Sequence, residues 1–119
     1  MRTDKRLDVG RAGEDAALDR YRGSGYALLA RNWRRPAGEL DLVVAKSGVI
    51  VFCEVKTRSG VSFGGGYEAV TATKQKKVRQ LAELFLLESK VPSRSVRFDV
   101  ASVLMVSEEP QVELFEDAF

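Results

Sequence analysis

Residues 49–56, VIVFCEVK, are apolar at nearly every position until Glu54. Side chains of a strand alternate between two faces, so a strand apolar on both is covered from both sides and lies centrally in its sheet. Neighbouring segments supply the partners and the covers. Asp8–Tyr21 reads as a helix stopped by Gly23-Ser24-Gly25. Thr71–Ser89 reads as a second helix, with Val78, Leu81, Ala82 and Phe85 on one side and Pro92 beyond its end. Tyr26–Trp33 (YALLARNW) and Glu39–Ala45 (ELDLVVA) read as strands. The turns at Arg35-Pro36-Ala37-Gly38 and Lys46-Ser47-Gly48 are short, so the three strands form an antiparallel meander. After the glycine-rich loop Thr57–Val70 and the second helix, Val96–Val106 (VRFDVASVLMV) is a fourth strand. Following a helical crossover, it is expected to run parallel to an earlier strand, with a right-handed connection. Val112–Phe115 reads as a short edge strand. The predicted order is α-β-β-β-α-β: an α/β fold with a mixed sheet flanked by helices.

A chain of 119 residues with 45% hydrophobic content suits one compact domain, 1–119, with a small core. No apolar run approaches a bilayer span, and the first residues lack the apolar stretch of a signal peptide, so a cytoplasmic protein without membrane partners is expected. One cysteine and no histidine exclude an internal disulfide, a zinc cluster and Ser-His-Asp or Cys-His machinery. Gly64-Gly65-Gly66 is not followed by Lys-Ser or Lys-Thr, so it is no Walker A loop and no ATP dependence is expected. Chemistry is left to carboxylates, lysine, hydroxyls or a metal. The last thirteen residues, about 107–119, form an acidic tail with five acids and no base; taking those five charges from the net +2 leaves +7 on the rest. A basic body suits a polyanionic partner, although many soluble proteins share the feature.

Three carboxylates stand where apolar residues are expected. At 100° per residue, Arg11, Asp15, Asp19 and Arg22 of the first helix gather on a water-facing side, while Glu14 falls among Gly10, Gly13, Ala17 and Tyr21 on the other. Asp41 interrupts ELDLVV, and Glu54 ends the most hydrophobic strand with Lys56 on the same face two residues on. A carboxylate removed from water costs several kcal/mol unless it is paired, protonated or bound to a metal. Each acid alone is accounted for by a structural ion pair. Asp on one strand, Glu-x-Lys on its hairpin partner and a third inward acid together point to a divalent cation. Mg²⁺ typically takes one or two carboxylates, water and substrate phosphate, and a lysine beside it orients water or neutralises the transition state. The reaction read from these residues is metal-dependent phosphodiester hydrolysis.

At the same residues the chain resembles the YraN-type uncharacterised proteins. The resemblance rests on Glu14 in GEDAA, then GYALLARNWR, GELDLV, VFCEVKTRS and RFDV, spaced blocks in order from about Val9 to the terminal Asp117-Ala118-Phe119. That family is similar to the archaeal Holliday-junction resolvases and to the PD-(D/E)xK nucleases, and so implies a restriction-endonuclease-like core. It implies Asp41 and Glu54 as metal carboxylates, the Val55 carbonyl as a further ligand, Glu14 as an accessory one, and Lys56 as the catalytic lysine. Mg²⁺ or Mn²⁺ would be the cofactor, and DNA, branched or otherwise structured, the substrate. The resolvases also imply a two-fold homodimer.

Basic residues around these motifs are candidates for nucleic-acid contact: Arg31, Arg34 and Arg35 around Trp33, Arg58 just past Lys56, and Lys74 and Lys77 at the start of the second helix. For the first group the competing reading packs Trp33 on the core with a solvated basic turn. For the helix it is a plain solvated face, with Lys74 on the Val78–Phe85 side. Arg97 and Asp99, flanking Phe98, read as an internal ion pair. The other function class weighed is a non-catalytic nucleic-acid-binding module on the same fold.

Overall fold

The computed structural model describes residues 5–59, 70–105 and 109–119. The elements, in order, are α1 (Lys5–Gly23), β1 (Ala27–Arg35), β2 (Gly38–Lys46), β3 (Val49–Ser59), α2 (Ala72–Ser89), β4 (Ser95–Met105) and β5 (Gln111–Phe115). They form one five-stranded sheet ordered β1-β2-β3-β4-β5, antiparallel except for the β3–β4 pair. The expected meander, parallel crossover and edge strand are all present, and the apolar segment is the middle strand.

Both of its faces are covered, as its composition requires. Val51 and Cys53 join Leu42, Val44, Ala101 and Val103 beneath Ala17, Leu18 and Tyr21 of α1. Ile50 and Phe52 join Val43 and Phe98 beneath Val78, Leu81, Ala82 and Phe85 of α2. On the α2 side, Phe52 stacks on Phe98 at 5.6 Å, and the Phe85 ring meets Phe52 edge-on at 5.8 Å. Burying each such side chain stabilises by about 1.5–3 kcal/mol, so the two cores hold the layers together.

Local chemistry sets the joints. The β2–β3 hairpin closes on Ser47 (φ 51°) and Gly48 (φ 81°), the pair of positive φ values of a two-residue turn matched to strand twist. Helix α1 ends where Gly25 takes a φ of 92° and the Ser24 and Gly25 amides donate to the Tyr21 and Arg22 carbonyls. Thr71 caps α2, its hydroxyl accepting from the Lys74 amide at 3.1 Å, and Lys90 in a left-handed conformation closes the other end, two residues before Pro92. At Gly13 α1 packs directly on β3: a Cβ there would overlap the Thr57 hydroxyl. That approach brings Glu14 against the sheet.

Two expectations shift. Thr57, Arg58 and Ser59, read as the start of a loop, continue β3 and pair with Val103, Leu104 and Met105, because β4 extends far enough to satisfy their backbone. The rest of that loop up to residue 69 lies outside the described residues, as does Val106. Helix α1 starts at Lys5, three residues before Asp8. Among the described residues, no helix is long and apolar enough to cross a membrane.

Candidate active site

The β1–β2 pair loses its regular alternation twice, at a register shift between Leu28 and Ala30 and again around Asp41, where the carboxylates gather. Leu42 and Val44 face α1 while Leu40 and Val43 face α2, so the period of two breaks at Asp41. Next to it on β1, Ala30 and Trp33 both pack on the α2 side although three residues apart, with Asn32 between them at a φ of 52°. Asparagine tolerates this left-handed conformation better than most residues. Such irregularities re-aim side chains, and here they turn Asp41 toward β3. The β2–β3 ladder ends at Leu42 opposite Cys53, and beyond it the Asp41 carboxylate takes over, accepting from the Val55 amide at 2.9 Å. Asp41 thereby pins the backbone between Glu54 and Lys56.

Glu54 is buried, with 2% of its surface exposed. Its Oε1 lies 3.2 Å from the Lys74 ammonium of α2, and its Oε2 has no hydrogen-bond partner among the described residues. Burial first, and then the charges of Glu54 and Glu14, push the Asp41 carboxyl up to about 7, against the opposing Val55 hydrogen bond and Lys74. Lys56 is half-buried and makes no ion pair or hydrogen bond among the described residues. Strand alternation places it on the face of Glu54.

In chelator, the metal-free protein carries the cost of ionising Asp41 in its stability. The unfolded chain ionises Asp41 near 3.8, whereas the folded chain keeps its proton to about 7. Between those values the folded form binds more protons, so this group's contribution to stability falls as pH rises. Urea midpoints of the unaltered protein are expected to carry a component that declines between about pH 4 and pH 7 and is missing from Asp41→Asn. An identical pH profile in the variant would assign the effect to other groups.

Glu14 reaches the same level but is held by two neighbours. Its Oε1 accepts from Arg31 Nε at 3.2 Å and its Oε2 from the Asn32 amide at 3.0 Å; that amide also donates to Glu39 at 2.7 Å. Among the described residues, no three acidic, thiol or imidazole side chains converge to hold a metal ion. Asp41 and Glu54, linked through the Asp41 bond to the Val55 amide, form a smaller donor set that suits a cation content with two carboxylates and water. A buried carboxylate oxygen without a partner beside a desolvated Asp is the observation that fits a cation there.

A profile of the uncharacterised protein family UPF0102 matches residues 13–103. The chain belongs to the UPF0102 family. This is the family that the YraN-type motifs pointed to. A UPF0102 protein of Mycolicibacterium gilvum (strain PYR-GCK) is 51% identical over 104 residues, covering 86% of this chain and 85% of its own length. One from Syntrophotalea carbinolica is 43% identical over 117 residues, covering 98% and 95%. Another from Dictyoglomus thermophilum is 37% identical over 98 residues, covering 82% and 83%. The UPF0102 match spans Glu14, Asp41, Glu54, Lys56 and Lys74 alike.

The basic candidates of this UPF0102 protein are less uniform. Arg31 is engaged by Glu14, by Asp15 at 2.7 Å and by the Arg11 carbonyl. Arg35 bonds Glu88 and lies 4.0 Å over the Trp33 ring, which meets Phe85 edge-on at 5.4 Å. Trp33 therefore packs on the core, the second of the two readings weighed for it. Arg34 is exposed and paired with Glu39 at 3.3 Å, Arg58 is half-buried on β3, and Lys77 is exposed on α2. Among these six, Lys74 bonds Glu54, one of the paired carboxylates. Asn32 and Glu39 join the site without having been predicted; an asparagine set into a strand, where that residue is disfavoured, was the available signal for the first.

Proposed function

We propose that the protein is a Mg²⁺- or Mn²⁺-dependent endonuclease that hydrolyses phosphodiester bonds of DNA, with branched or otherwise structured DNA as its substrate. The reading is carried by Glu54: a fully buried carboxylate, half-satisfied by one lysine, beside Asp41 and on the face of Lys56. A pure nucleic-acid binder gains nothing from two desolvated acids aimed where phosphate must come. A bound divalent ion supplies an activated water and stabilises negative charge on the phosphate. Asp41 and Glu54 would hold that ion, with the Val55 carbonyl adjoining and the Glu14 charge behind them. Lys56 offers its ammonium to the attacking water or to a phosphate oxygen. Lys77 and Arg34, the most accessible of the basic candidates, would meet the DNA backbone. Two such sites related by a two-fold axis would cut two strands of a junction.

The test is a panel of single-stranded, duplex, flap and four-way DNA incubated with the purified protein and Mn²⁺. Cleavage of at least one substrate, stopped by EDTA, is expected. Binding across the panel without cutting would replace the nuclease with a binding module on the same fold.

A further inference from the structure

Lys74 stands where helix physics disfavours it. It is the third residue of α2, in a first turn that contains no acid, and the helix dipole repels a cation there. What holds it is Glu54, whose Oε1 is 3.2 Å from its ammonium. The two partners differ in their freedom: Glu54 is 2% exposed, while the Lys74 side chain is 42% exposed. The lysine can therefore swing into water without repacking the core, and the carboxylate cannot follow it. The pairing is also incomplete. One ammonium satisfies one oxygen of Glu54 and leaves Oε2 unpartnered among the described residues, while the Asp41 carboxylate stands beside the pair.

We propose that Lys74 is a resident counter-cation that a divalent metal ion displaces from Glu54, so that metal uptake is an exchange of one cation for another. The inference rests on the metal reading of this site. The lysine keeps the metal-free cluster from carrying two uncompensated acids, and it weakens metal binding by the strength of the pair that must be broken. After exchange the ammonium is released to water at the N-terminus of α2, one helical turn from Lys77, on the side from which a phosphate would approach.

Lys74→Met keeps the apolar stem and removes the charge. Lys74→Gln keeps a hydrogen-bond donor within reach of Glu54 and guards against loss of folding. Calorimetric titration of the full chain with Mn²⁺ is expected to show both variants binding more tightly than the unaltered protein, Lys74→Met by about tenfold or more. The thermal midpoint in EDTA is expected to drop, and the rise on adding Mn²⁺ to grow correspondingly. If Mn²⁺ binds the unaltered protein in a manner abolished by Glu54→Gln, yet binds the Lys74 variants no more tightly, the exchange is overturned while the metal site stands. If Mn²⁺ binds none of these proteins, the metal site and the exchange fall together.

Discussion

Lys56→Ala is expected to bind Mn²⁺ as well as the unaltered protein, or better, and to cleave DNA slower by about 10² or more, the scale for a group acting on the transition state. The Lys56 side chain is half-buried, lies near the end of β3, and makes no ion pair or hydrogen bond among the described residues. Its strand position is held by backbone pairing with Ser102 of β4 and by the Asp41 bond to the preceding amide. Substitution should therefore remove a charge from the site and little else. Glu54→Ala provides the contrast, because there metal affinity and cleavage should fall together. Mn²⁺ titration and cleavage assays on the two variants separate a ligand from a group that acts on the phosphate. Normal cleavage by Lys56→Ala would make the lysine a bystander; unchanged metal binding by Glu54→Ala would place the metal elsewhere.

The largest loss of stability is expected at Asp99, on the opposite face of the sheet. Its carboxylate is fully buried and accepts from the Tyr21 hydroxyl at 2.7 Å, from Arg97 Nε and Nη2 at 2.9 Å, and from the Asp117 amide at 3.0 Å. One side chain thus ties α1, β4 and the turn after β5 together. The surroundings are tuned to it: hydrogen bonding to Asp99 holds the Arg97 guanidinium charged, and burial keeps the Tyr21 hydroxyl protonated far above its usual range, so it remains a donor. Burial likewise pushes the Cys53 thiol up, leaving it an inert packing residue. Asp99→Ala would strand a buried hydroxyl and an amide, and leave the half-buried Arg97 guanidinium only its exposed partner Glu116, 3.1 Å away. Breaking a buried ion pair at one end costs about 3–5 kcal/mol. For a domain of this size the thermal midpoint should fall by roughly 10 °C or more. Asp99→Asn retains acceptor and shape and should lose less. A loss under about 1 kcal/mol in urea unfolding of Asp99→Ala would show that the network contributes little beyond shape.

Much of this architecture could be read from the chain because its determinants are local. The apolar run 49–53 demanded a central strand, Ser47-Gly48 and Gly25 supplied the backbone conformations of turn and helix end, and helical periodicity chose the inward side of α1 with Gly13, Ala17 and Tyr21 on it. Asp41, Glu54 and Lys56 were conspicuous for the same local reason, as charges set into strands that bury their neighbours. Arg97 and Asp99, two residues apart on one strand face, could also be paired on sight.

The pairing partners of the other charges were settled by packing. Arg31 meets Glu14 across 17 residues, Arg35 meets Glu88 across 53, and Tyr21 meets Asp99 across 78. Lys74 meets Glu54 only because α2 crosses back over the sheet between the parallel strands β3 and β4. Which cation neutralises which acid depends on distances of a few ångströms between elements, and neither periodicity nor propensity carries that information. The left-handed Asn32, which lets β1 and β2 break step together and turn Asp41 toward β3, is likewise a property of the assembled sheet. The sequence by itself therefore determined the order of the elements and the residue types available for chemistry. The tertiary structure decided that Glu54 meets its counter-cation, Lys74, inside the fold, because only packing brings a helix terminus to within one hydrogen bond of a buried strand.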